Sequence, residues 1–366
     1  MPNLLIASPN NLSYSETFIR NQNTYLEHKV LLTGGWYPYV HNKKSIFSGL
    51  LKFNFFRGIV RRFSPNYYHN LYSKNLTRFL KKNQITKVLA HYGKCGVSVM
   101  DACKNADVEL IVHFHGFDAF HIETLNEFGS KYSQMFKVAS KIIAVSNDMR
   151  EQLIKLGSHP EITFCQPYGV DIEKFKPIPR NESNKNLLFV GRLTAKKAPL
   201  ILLKSFERVL TKHPDAHLTI IGNGELEAEV IAYINSQNLE VSVSLLGVRS
   251  PQEIITKLQT SDIFVQHSIH ADNGDSEGTP NTILEASACG LPIVSTFHGG
   301  IKEAVVHDLT GLLSEERDAE LFAENIIDLL NNSEKRQKMG EFARKHMVEN
   351  YSLKENIEKL KRIIYQ

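Results

Sequence analysis

Short apolar runs rich in β-branched residues alternate with helical stretches along this chain, and the alternation stops once and then starts again. Such alternation produces βαβ units, because two parallel strands can be joined only by a long crossover connection. At 366 residues the chain is also longer than one hydrophobic core usually serves. The pattern therefore predicts an α/β protein with two domains, each built on its own parallel sheet.

The predicted strands of the first half lie at 4–7, 28–33, 87–91, 110–115, 141–145 and 162–164. A polar stretch with two prolines follows at 175–185, and the alternation restarts with a strand at 186–190. Because domain boundaries favour polar, proline-containing segments, we place the first domain at 1–180 and the second at 181–350. Residues 351–366 are predicted to form a C-terminal helix.

Composition narrows the class of protein. A hydrophobic content of 42% and a charged content of 22% are typical of a globular protein in water. No run reaches the ~18 apolar residues of a spanning helix, and Met1-Pro2-Asn3 lacks the positive start of a signal peptide. Four cysteines without C-x-x-C spacing predict buried, reduced thiols in a cytoplasmic protein: Cys95, Cys103, Cys165 and Cys289.

Positive charge is concentrated in the first half. Residues 1–180 carry 23 Lys and Arg against 13 Asp and Glu, whereas the remainder carries 20 against 26. The stretch 41–82 interleaves aromatic and basic residues. It suits either the surface of an anionic membrane, where each basic residue adds ~1 kcal/mol of attraction, or a helix buried in the domain core. The sequence leaves both readings open, and we expect no nucleic-acid partner.

The stretch 277–290 combines a loop, a proline-started helix and a glycine stop. Pro280 suits the first helical position, Thr279 can cap the helix, and Gly290 can adopt the left-handed conformation that ends it. The exposed amides of a helix N-terminus bind phosphate. Two carboxylates would repel a diphosphate, so we interpret Glu277 and Glu285 as acceptors for sugar and ribose hydroxyl groups beside it.

These two glutamates, seven residues apart within GDSEGTPNTILEASACGLPIVST, resemble the E-x7-E signature of retaining GT-B glycosyltransferases of family 4. The resemblance implies two Rossmann-like domains facing each other across a cleft, with the C-terminal helix crossing back to the first. It also implies retaining transfer of a hexosyl group from a UDP- or GDP-linked sugar. The acceptor would be a saccharide or lipid-linked saccharide, in surface or extracellular polysaccharide biosynthesis.

Gly-Arg-Leu-x-x-x-Lys at 191–197 is similar to the family's diphosphate clamp, with Arg192 and Lys197 at the matching positions. The family often has Gly after the lysine, where Ala198 stands here, and we expect a small effect. Two glycines after a later strand suggest close backbone approach to the phosphates. The predicted donor-binding residues are Arg192, Lys197, Gly278, Thr279, Pro280, Asn281, Glu285, Gly299 and Gly300.

His115-Gly116-x-Asp118 is similar to the family's His-Gly motif beside the transferred sugar; without the resemblance, a histidine at a strand end suggests a core residue. Ser-Glu-Thr-Phe after the first strand recurs in polysaccharide-building members. The resemblance implies the catalytic residues His115 and Glu277 and the acceptor-binding residues Ser15, Glu16 and Asp118.

We expect no cofactor and no metal. Asp-x-Asp does not occur, Asp272 and Asp275 are interpreted as parts of a hydrated loop, and His115 has no further ligands at zinc-like spacing. Gly222-Asn223-Gly224 begins like a dinucleotide fingerprint, but Glu227 takes the place of the third glycine, which disfavours an oxidoreductase. A sugar phosphorylase and a non-catalytic sugar- or lipid-binding module on the same scaffold remain the alternatives.

Overall fold

A computed structural model describes residues 3–10, 16–42, 44–47, 54–179 and 184–366. The predicted acceptor-binding residue Ser15 lies outside these residues, as do 48–53 of the apolar and basic stretch and 180–183 of the polar stretch. The chain divides into two compact units, residues 1–166 with 357–366, and residues 167–356. In the described part of the chain, every helix is too short or too polar to span a bilayer.

The strands of the first unit are β1 (Leu4–Ala7), β2 (Val30–Leu32), β3 (Val40–His41), β4 (Lys44–Ser45), β5 (Lys87–His91), β6 (Glu109–His113), β7 (Ala139–Ala144) and β8 (Thr163–Cys165). Its helices are α1 (Thr17–Tyr25), α2 (Asn54–Phe63), α3 (Pro65–Lys82), α4 (Gly93–Ala106), α5 (Phe117–Phe120), α6 (Ile122–Phe136) and α7 (Asn147–Lys155). β3 and β4 form an antiparallel pair, and the other strands form one parallel sheet in the order β2-β1-β5-β6-β7-β8. All of β1 is buried, which explains its unbroken apolar sequence.

The strands of the second unit are β9 (Asn186–Val190), β10 (His217–Ile221), β11 (Val243–Leu245), β12 (Ile263–Val265), β13 (Ile293–Thr296) and β14 (Gly311–Ser314). The helices that follow are α8 (Pro199–Lys212), α9 (Glu227–Ser236), α10 (Pro251–Thr260), α11 (Asn281–Ala288), α12 (Ile301–Ala304), α13 (Ala319–Asn331), α14 (Ser333–Asn350) and α15 (Leu353–Tyr365). These strands form a second parallel sheet in the order β11-β10-β9-β12-β13-β14. The predicted α/β architecture with parallel sheets is confirmed.

Each sheet contains one point where the strand order reverses. In the first sheet the chain passes from β1 to β2 on one side and later to β5 on the other. In the second it passes from β9 to β10 on one side and later to β12 on the other. Ligands of open parallel sheets bind outside the carboxyl ends of the strands at such a reversal. The loops after β1 and β5, and those after β9 and β12, are therefore the places to look for sites.

The division between the units falls at 166/167, whereas the sequence placed it at 180/181. Residues 167–175 belong to the second unit because their backbone is bonded to its helices. The Arg344 guanidinium on α14 donates to the carbonyl oxygens of Phe175 and Ile172, at 2.8 and 2.9 Å. The returning segment begins at 357 rather than 351, so α15 starts in the second unit and continues in the first.

For the stretch 41–82, the sequence left two interpretations open, contact with a membrane surface and burial in the core. The structure supports a different one for each of its helices. Phe47 and, on α3, Tyr72 and Leu76 are at most 2% exposed and belong to the core. On α2, by contrast, Phe55 is 71% exposed and Phe63 is 77% exposed. Core packing therefore explains α3, and it does not explain the apolar face of α2.

Candidate active site

The loops after β9 and β12 meet at the reversal point of the second sheet. A short 3-10 helix, Ala195–Lys197, follows β9 and turns the Lys197 side chain inward, where it is buried. Its ammonium lies 3.2 Å from the Glu277 carboxylate and donates to the Gln266 side-chain oxygen at 3.1 Å. Gln266 directly follows β12 and is fully buried. The structure thus brings two predicted site residues, Lys197 and Glu277, into direct contact, and Gln266, which the sequence analysis did not select, also binds Lys197.

Glu277 and Lys197 are both removed from water, and each affects the other's ionisation. Burial by itself would raise the pKa of Glu277, but the positive charges of Lys197 and Lys196 outweigh it and hold that pKa at about 2. Burial lowers the pKa of Lys197, and the negative charge of Glu277 opposes that shift. The Glu277 carboxylate is therefore ionised at neutral pH where it faces the Lys197 side chain.

A second, partly exposed pair lies beside the first. The Lys196 ammonium lies 3.1 Å from the Asp275 carboxylate and donates to the carbonyl oxygen of Ser276 at 3.3 Å. Asp275 thus contacts this lysine while it stays partly exposed in its loop, and Asp272 is exposed as expected. Lys196 itself was missed, since adjacent lysines in a loop usually face the solvent.

Arg192 and Glu285 lie in the same region without joining the pairs. Arg192 is exposed, yet its charge is close enough to help lower the pKa of Lys197. Burial raises the pKa of Glu285 on α11 to about 7, and the positive charge of Lys174 opposes that rise. Three basic side chains, Arg192, Lys196 and Lys197, thus come from one loop, and two of them pair with the carboxylates of Glu277 and Asp275.

The predicted helix is present as α11 (Asn281–Ala288), and Gly290 has a φ of +77°, as expected for a left-handed stop. Its beginning differs from the prediction. Pro280 is the N-cap residue rather than the first helical one, and its own side chain makes no cap hydrogen bond. The first-turn amides of Asn281 and Thr282 have no acceptor within the helix, which leaves this end suited to an anion.

A histidine and a glutamate hold the loop that carries Glu277. The backbone N–H of Glu277 donates to His298 Nε2 at 3.0 Å, and His298 Nδ1 lies 2.6 Å from Glu316 Oε1. Since a backbone N–H can only donate, Nε2 accepts and the ring proton sits on Nδ1, which donates to Glu316. His298 is fully buried. Sequence reasoning missed this network because Glu277, His298 and Glu316 follow three different strands.

The predicted glycines Gly299 and Gly300 contact the same loop. Gly299 has a φ of +46°, and a Cβ there would overlap the Glu277 carbonyl oxygen. Gly300 N donates to the Gly278 carbonyl at 3.1 Å. These glycines therefore do allow a close backbone approach, as the sequence suggested. The group that approaches them in this structure is the backbone of residues 277–278.

The glycines of the apparent dinucleotide fingerprint also have a packing role. A Cβ on Gly222 would overlap the carbonyl oxygen of Gly191, and one on Gly224 would overlap that of Leu193. The loop after β10 therefore lies directly against the loop that carries Arg192 and Lys197. This contact accounts for both glycines without a dinucleotide.

In the first unit, three imidazoles cluster at the ends of β5 and β6. His91 Nδ1 lies 3.0 Å from His115 Nε2, and the rings of His113 and His115 are centred 4.4 Å apart. Burial lowers the pKa of His91 to about 3 and that of His115 well below its ordinary value. His115 is therefore neutral at pH 7, able to accept or donate one hydrogen bond. His91 was missed because it comes from a neighbouring strand.

Glu16 and Asp118, the described members of the predicted acceptor set, have different surroundings. Glu16 is partly exposed, and its Oε1 accepts a hydrogen bond from the Tyr92 hydroxyl at 2.7 Å. Asp118 is fully buried and accepts from the backbone N–H groups of His115 and Gly93, at 3.0 and 2.8 Å. Burial raises its pKa to about 6. These bonds fix the loop of His115, and the burial argues against direct contact between Asp118 and an acceptor.

Two groups of side chains have metal-ligand chemistry in the described residues: His91, His113 and His115, and also His270, His298 and Glu316. The second group is poorly suited to a metal. A cation on His298 Nδ1 would displace its proton, while Nε2 is already occupied by the N–H of Glu277. In the first group, His91 and His115 each direct one nitrogen at the other. The second group is thus hydrogen-bonded as it stands, and so is the His91–His115 pair of the first.

The chain matches two family models over consecutive regions. The model described as "Glycosyltransferase Family 4" matches residues 34–174, and the model described as "Glycosyl transferases group 1" matches residues 170–346. The chain belongs to the family 4 type of glycosyltransferase. Both halves of this transferase are therefore covered, and the 170–346 match includes all the predicted donor-binding residues.

Several relatives carry names that specify a reaction or a saccharide product. The amylovoran biosynthesis glycosyltransferase AmsK of Erwinia amylovora is 32% identical over 66% of this transferase and 60% of its own length. A GDP-mannose-dependent phosphatidylinositol monomannoside mannosyltransferase of Corynebacterium glutamicum is 34% identical over 54% of each chain. A UDP-Gal:alpha-D-GlcNAc-diphosphoundecaprenol alpha-1,3-galactosyltransferase of Escherichia coli is 29% identical over 78% and 77%. The chain thus spans only 54–60% of the length of the first two.

Solved structures show the same fold. Anabaena HepE, crystallised with UDP, superposes with a TM-score of 0.78 at 18% identity over 99% of both chains. The sucrose-phosphate synthase of Thermosynechococcus elongatus gives a TM-score of 0.77 at 14% identity over 98% of both. The fold class predicted from the sequence, GT-B, is therefore confirmed.

Proposed function

We propose that this glycosyltransferase moves a hexosyl group from a UDP- or GDP-linked sugar to a saccharide or lipid-linked saccharide, with retention, in polysaccharide biosynthesis. The observation that carries the proposal is the site at the reversal point of the second sheet. There one loop brings three basic side chains, Arg192, Lys196 and Lys197, beside the first-turn amides of α11, which have no acceptor within the helix. A diphosphate is the ligand whose charge such a site favours.

The chemistry follows from where charge develops. When the sugar–phosphate bond breaks, negative charge grows on the departing diphosphate, and fixed cations and amides stabilise it. Lys197 would turn from Glu277 toward the phosphate, which leaves Glu277 free to accept sugar hydroxyls. Glu285 would accept ribose hydroxyls, and neutral His115 would hydrogen-bond the transferred sugar. In retention without an enzymic nucleophile, the acceptor hydroxyl attacks on the face that the phosphate leaves and gives its proton to the departing phosphate oxygen.

Relatives guide the choice of substrates. The names of the compared proteins specify a UDP-linked galactose donor in one case and a GDP-mannose donor in another. One of them acts on a diphosphoundecaprenol-linked sugar, and another builds amylovoran. We therefore propose a bacterial-type acceptor on a lipid carrier, approached from the cytoplasmic side. Neutralisation of the diphosphate by three side-chain cations further suggests that no metal ion is required.

Nucleotide release is the direct test. The protein is incubated with UDP- and GDP-linked hexoses, with and without saccharide acceptors, in buffer that contains a chelator. We expect one donor to be converted to free nucleotide and a glycoside whose anomeric proton keeps the donor configuration by NMR. A product with inverted configuration would contradict the proposed retention. Activity that is abolished by chelator and restored by magnesium would contradict the proposed independence of a metal ion. Turnover only with inorganic phosphate would identify a phosphorylase instead.

We also propose that α2 contacts an anionic membrane surface. Its apolar side chains Phe55 and Phe63 are exposed, and the neighbouring Arg61 and Arg62 are exposed cations. Apolar and basic side chains on one helix are typical of interfacial binding. The protein should sediment with vesicles that contain phosphatidylglycerol at low salt and not with neutral vesicles. Phe55→Ser with Phe63→Ser should abolish sedimentation, whereas Val241→Ser, at an exposed valine of the second unit, should not.

A further inference from the structure

Aromatic rings surround the Lys94 ammonium in the first turn of α4. Its nitrogen lies 5.5 Å from the ring centre of Trp36, 5.4 Å from that of Phe117 and 5.1 Å from that of Phe128. These distances fall within the range of cation–π attraction. Among the described residues, Lys94 makes no ion pair with a carboxylate. Its charge is therefore held in place by rings and remains available to an anion.

A row of rings connects Lys94 to the histidine cluster. Trp36 packs edge-on against Tyr92 with 5.5 Å between ring centres, and Tyr92 packs against His115 with 4.7 Å. Trp36 and Tyr92 are both partly exposed, and Phe117 is 36% exposed. The row ends at the residue to which we assign contact with the transferred sugar.

The position of this row in the sheet is that of a ligand site. Tyr92 directly follows β5, and its hydroxyl donates a hydrogen bond to the carboxylate of Glu16. Glu16 lies in the connection after β1. β1 and β5 are the two strands between which the order of the first sheet reverses. The second oxygen of Glu16, Oε2, has no hydrogen-bond partner among the described residues. A carboxylate oxygen in such a place calls for a donor, and sugar hydroxyls are donors.

Backbone strain supports the same interpretation. Tyr92 has φ 71° and ψ 142°, a conformation that is nearly restricted to glycine. A tyrosine persists there although a glycine would relieve the strain, and the strained backbone directs its ring between Trp36 and His115. Strain of this kind is concentrated at functional sites.

We infer that Trp36, Tyr92 and Lys94 form a subsite for the saccharide acceptor, specific for a pyranose that carries an anionic group. The apolar face of the pyranose would cover the Trp36 ring, its hydroxyls would donate to Glu16, and its anion would pair with Lys94. The anion is a carboxylate of an acidic sugar or a phosphate that links the sugar to its carrier. This inference rests on the proposed function, because it assigns the acceptor of that reaction.

The composition of the chain provides a direct probe, because Trp36 is its only tryptophan. Tryptophan fluorescence is followed during titration with glucose, glucuronic acid and glucose 1-phosphate, in the absence of nucleotide. We expect saturable changes in emission with glucuronic acid, glucose 1-phosphate or both, and weaker binding of glucose. The two anionic sugars separate the carboxylate source from the phosphate source.

Charge variants supply the matched control. Lys94→Gln should weaken binding of the preferred anionic sugar about tenfold, as expected for loss of one charge-assisted hydrogen bond. Lys131→Gln removes the same charge from an exposed lysine whose nitrogen lies 4.9 Å from the Phe128 ring, and it should leave affinity unchanged. Equal affinity of Lys94→Gln and wild type, or equal binding of glucose and both anionic sugars, would overturn the anionic specificity.

Failure of this inference can be separated from failure of the proposed function. Nucleotide release is measured on the same protein with Trp36→Phe, which retains an aromatic face, and with Trp36→Ala. Loss of transfer in Trp36→Ala, with donor hydrolysis intact and rescue by Trp36→Phe, supports the subsite. Two results would overturn the subsite and leave the proposed function standing. One is normal transfer by Trp36→Ala. The other is a wild type that transfers sugar while its fluorescence responds to none of the three sugars.

Discussion

Arg192 and Lys197 carry the same charge in one loop, but they lie in different surroundings. Arg192 is exposed, whereas Lys197 is buried against Glu277. Removing Lys197 leaves a buried carboxylate without its closest cation, which typically costs about 3–5 kcal/mol. Removing Arg192 leaves nothing buried unpaired. The two residues should therefore have the same effect on nucleotide binding and different effects on stability.

We predict that Arg192→Ala and Lys197→Ala both weaken binding of the donor nucleotide, measured by calorimetry with UDP and GDP. Only Lys197→Ala should lower the free energy of unfolding markedly, measured by urea denaturation. Lys204→Ala, on α8 and outside the site, serves as the control for loss of a positive charge. Wild-type affinity in both variants would contradict the assignment of the diphosphate to this loop.

Glu285 provides a test in the pH dependence of binding. Burial raises its pKa to about 7, so the free protein loses this proton as the pH rises from 6 to 8. The ionised carboxylate is the better acceptor for ribose hydroxyls, so nucleotide affinity should increase over this range. In Glu285→Gln, the part of this increase in affinity that is due to Glu285 should disappear. The nucleotide itself also titrates, but it does so equally with both proteins, so the difference between their pH profiles reports Glu285 alone. Parallel pH profiles would show that Glu285 does not contact the nucleotide.

At the scale of elements, the loop that carries Glu277 is held by a strand-end histidine. His298 accepts the N–H of Glu277 and donates to Glu316. His298→Ala leaves that buried N–H without its acceptor, a loss of about 1–3 kcal/mol. We predict a large fall in kcat, because Glu277 then loses its fixed orientation. His298→Gln, which can still accept, should recover part of the activity. If His298→Ala lowered stability alone and kcat stayed at the wild-type value, a positioning role would be excluded.

The elements themselves could be predicted, because their signals are local. The apolar run of β9, Pro280 and Gly290 each fix structure within a few residues. Gln266 and His298 could not be predicted as site residues, because their roles depend on which strands are neighbours. Ala198 shows a further limit. It has φ 39° and ψ 53°, a left-handed conformation that costs an L-residue about 1–2 kcal/mol, which explains the family's preference for glycine there.

At the scale of the whole molecule, the two units have the same sheet arrangement, and each places polar side chains at the same point of its sheet. In each unit the reversal point of the sheet gathers polar side chains from two loops, Tyr92 with Glu16 in the first and Lys197 with Glu277 in the second. This division separates the proposed tasks, since cations for a diphosphate collect in the second unit and aromatic rings for a saccharide in the first.

The last ten residues of the chain belong to the same compact unit as its N-terminal part. Leu360 on α15 is 1% exposed and belongs to the segment that completes the first unit, although α15 begins in the second. Leu360→Ala should therefore destabilise the first unit by about 2–5 kcal/mol, as buried leucines usually do. Lys359→Ala, at the exposed neighbouring position, should change stability by less than about 0.5 kcal/mol.

Trp36 reports unfolding of the first unit, and nucleotide binding reports the second, so the two effects can be measured in one sample. In Leu360→Ala the fluorescence transition should move to lower urea, while nucleotide affinity in dilute buffer stays that of the wild type. This outcome follows because the lost contacts lie in the first unit and the diphosphate site lies in the second. A fluorescence transition that is unchanged, or an equal shift in Lys359→Ala, would mean that the last ten residues do not stabilise the first unit.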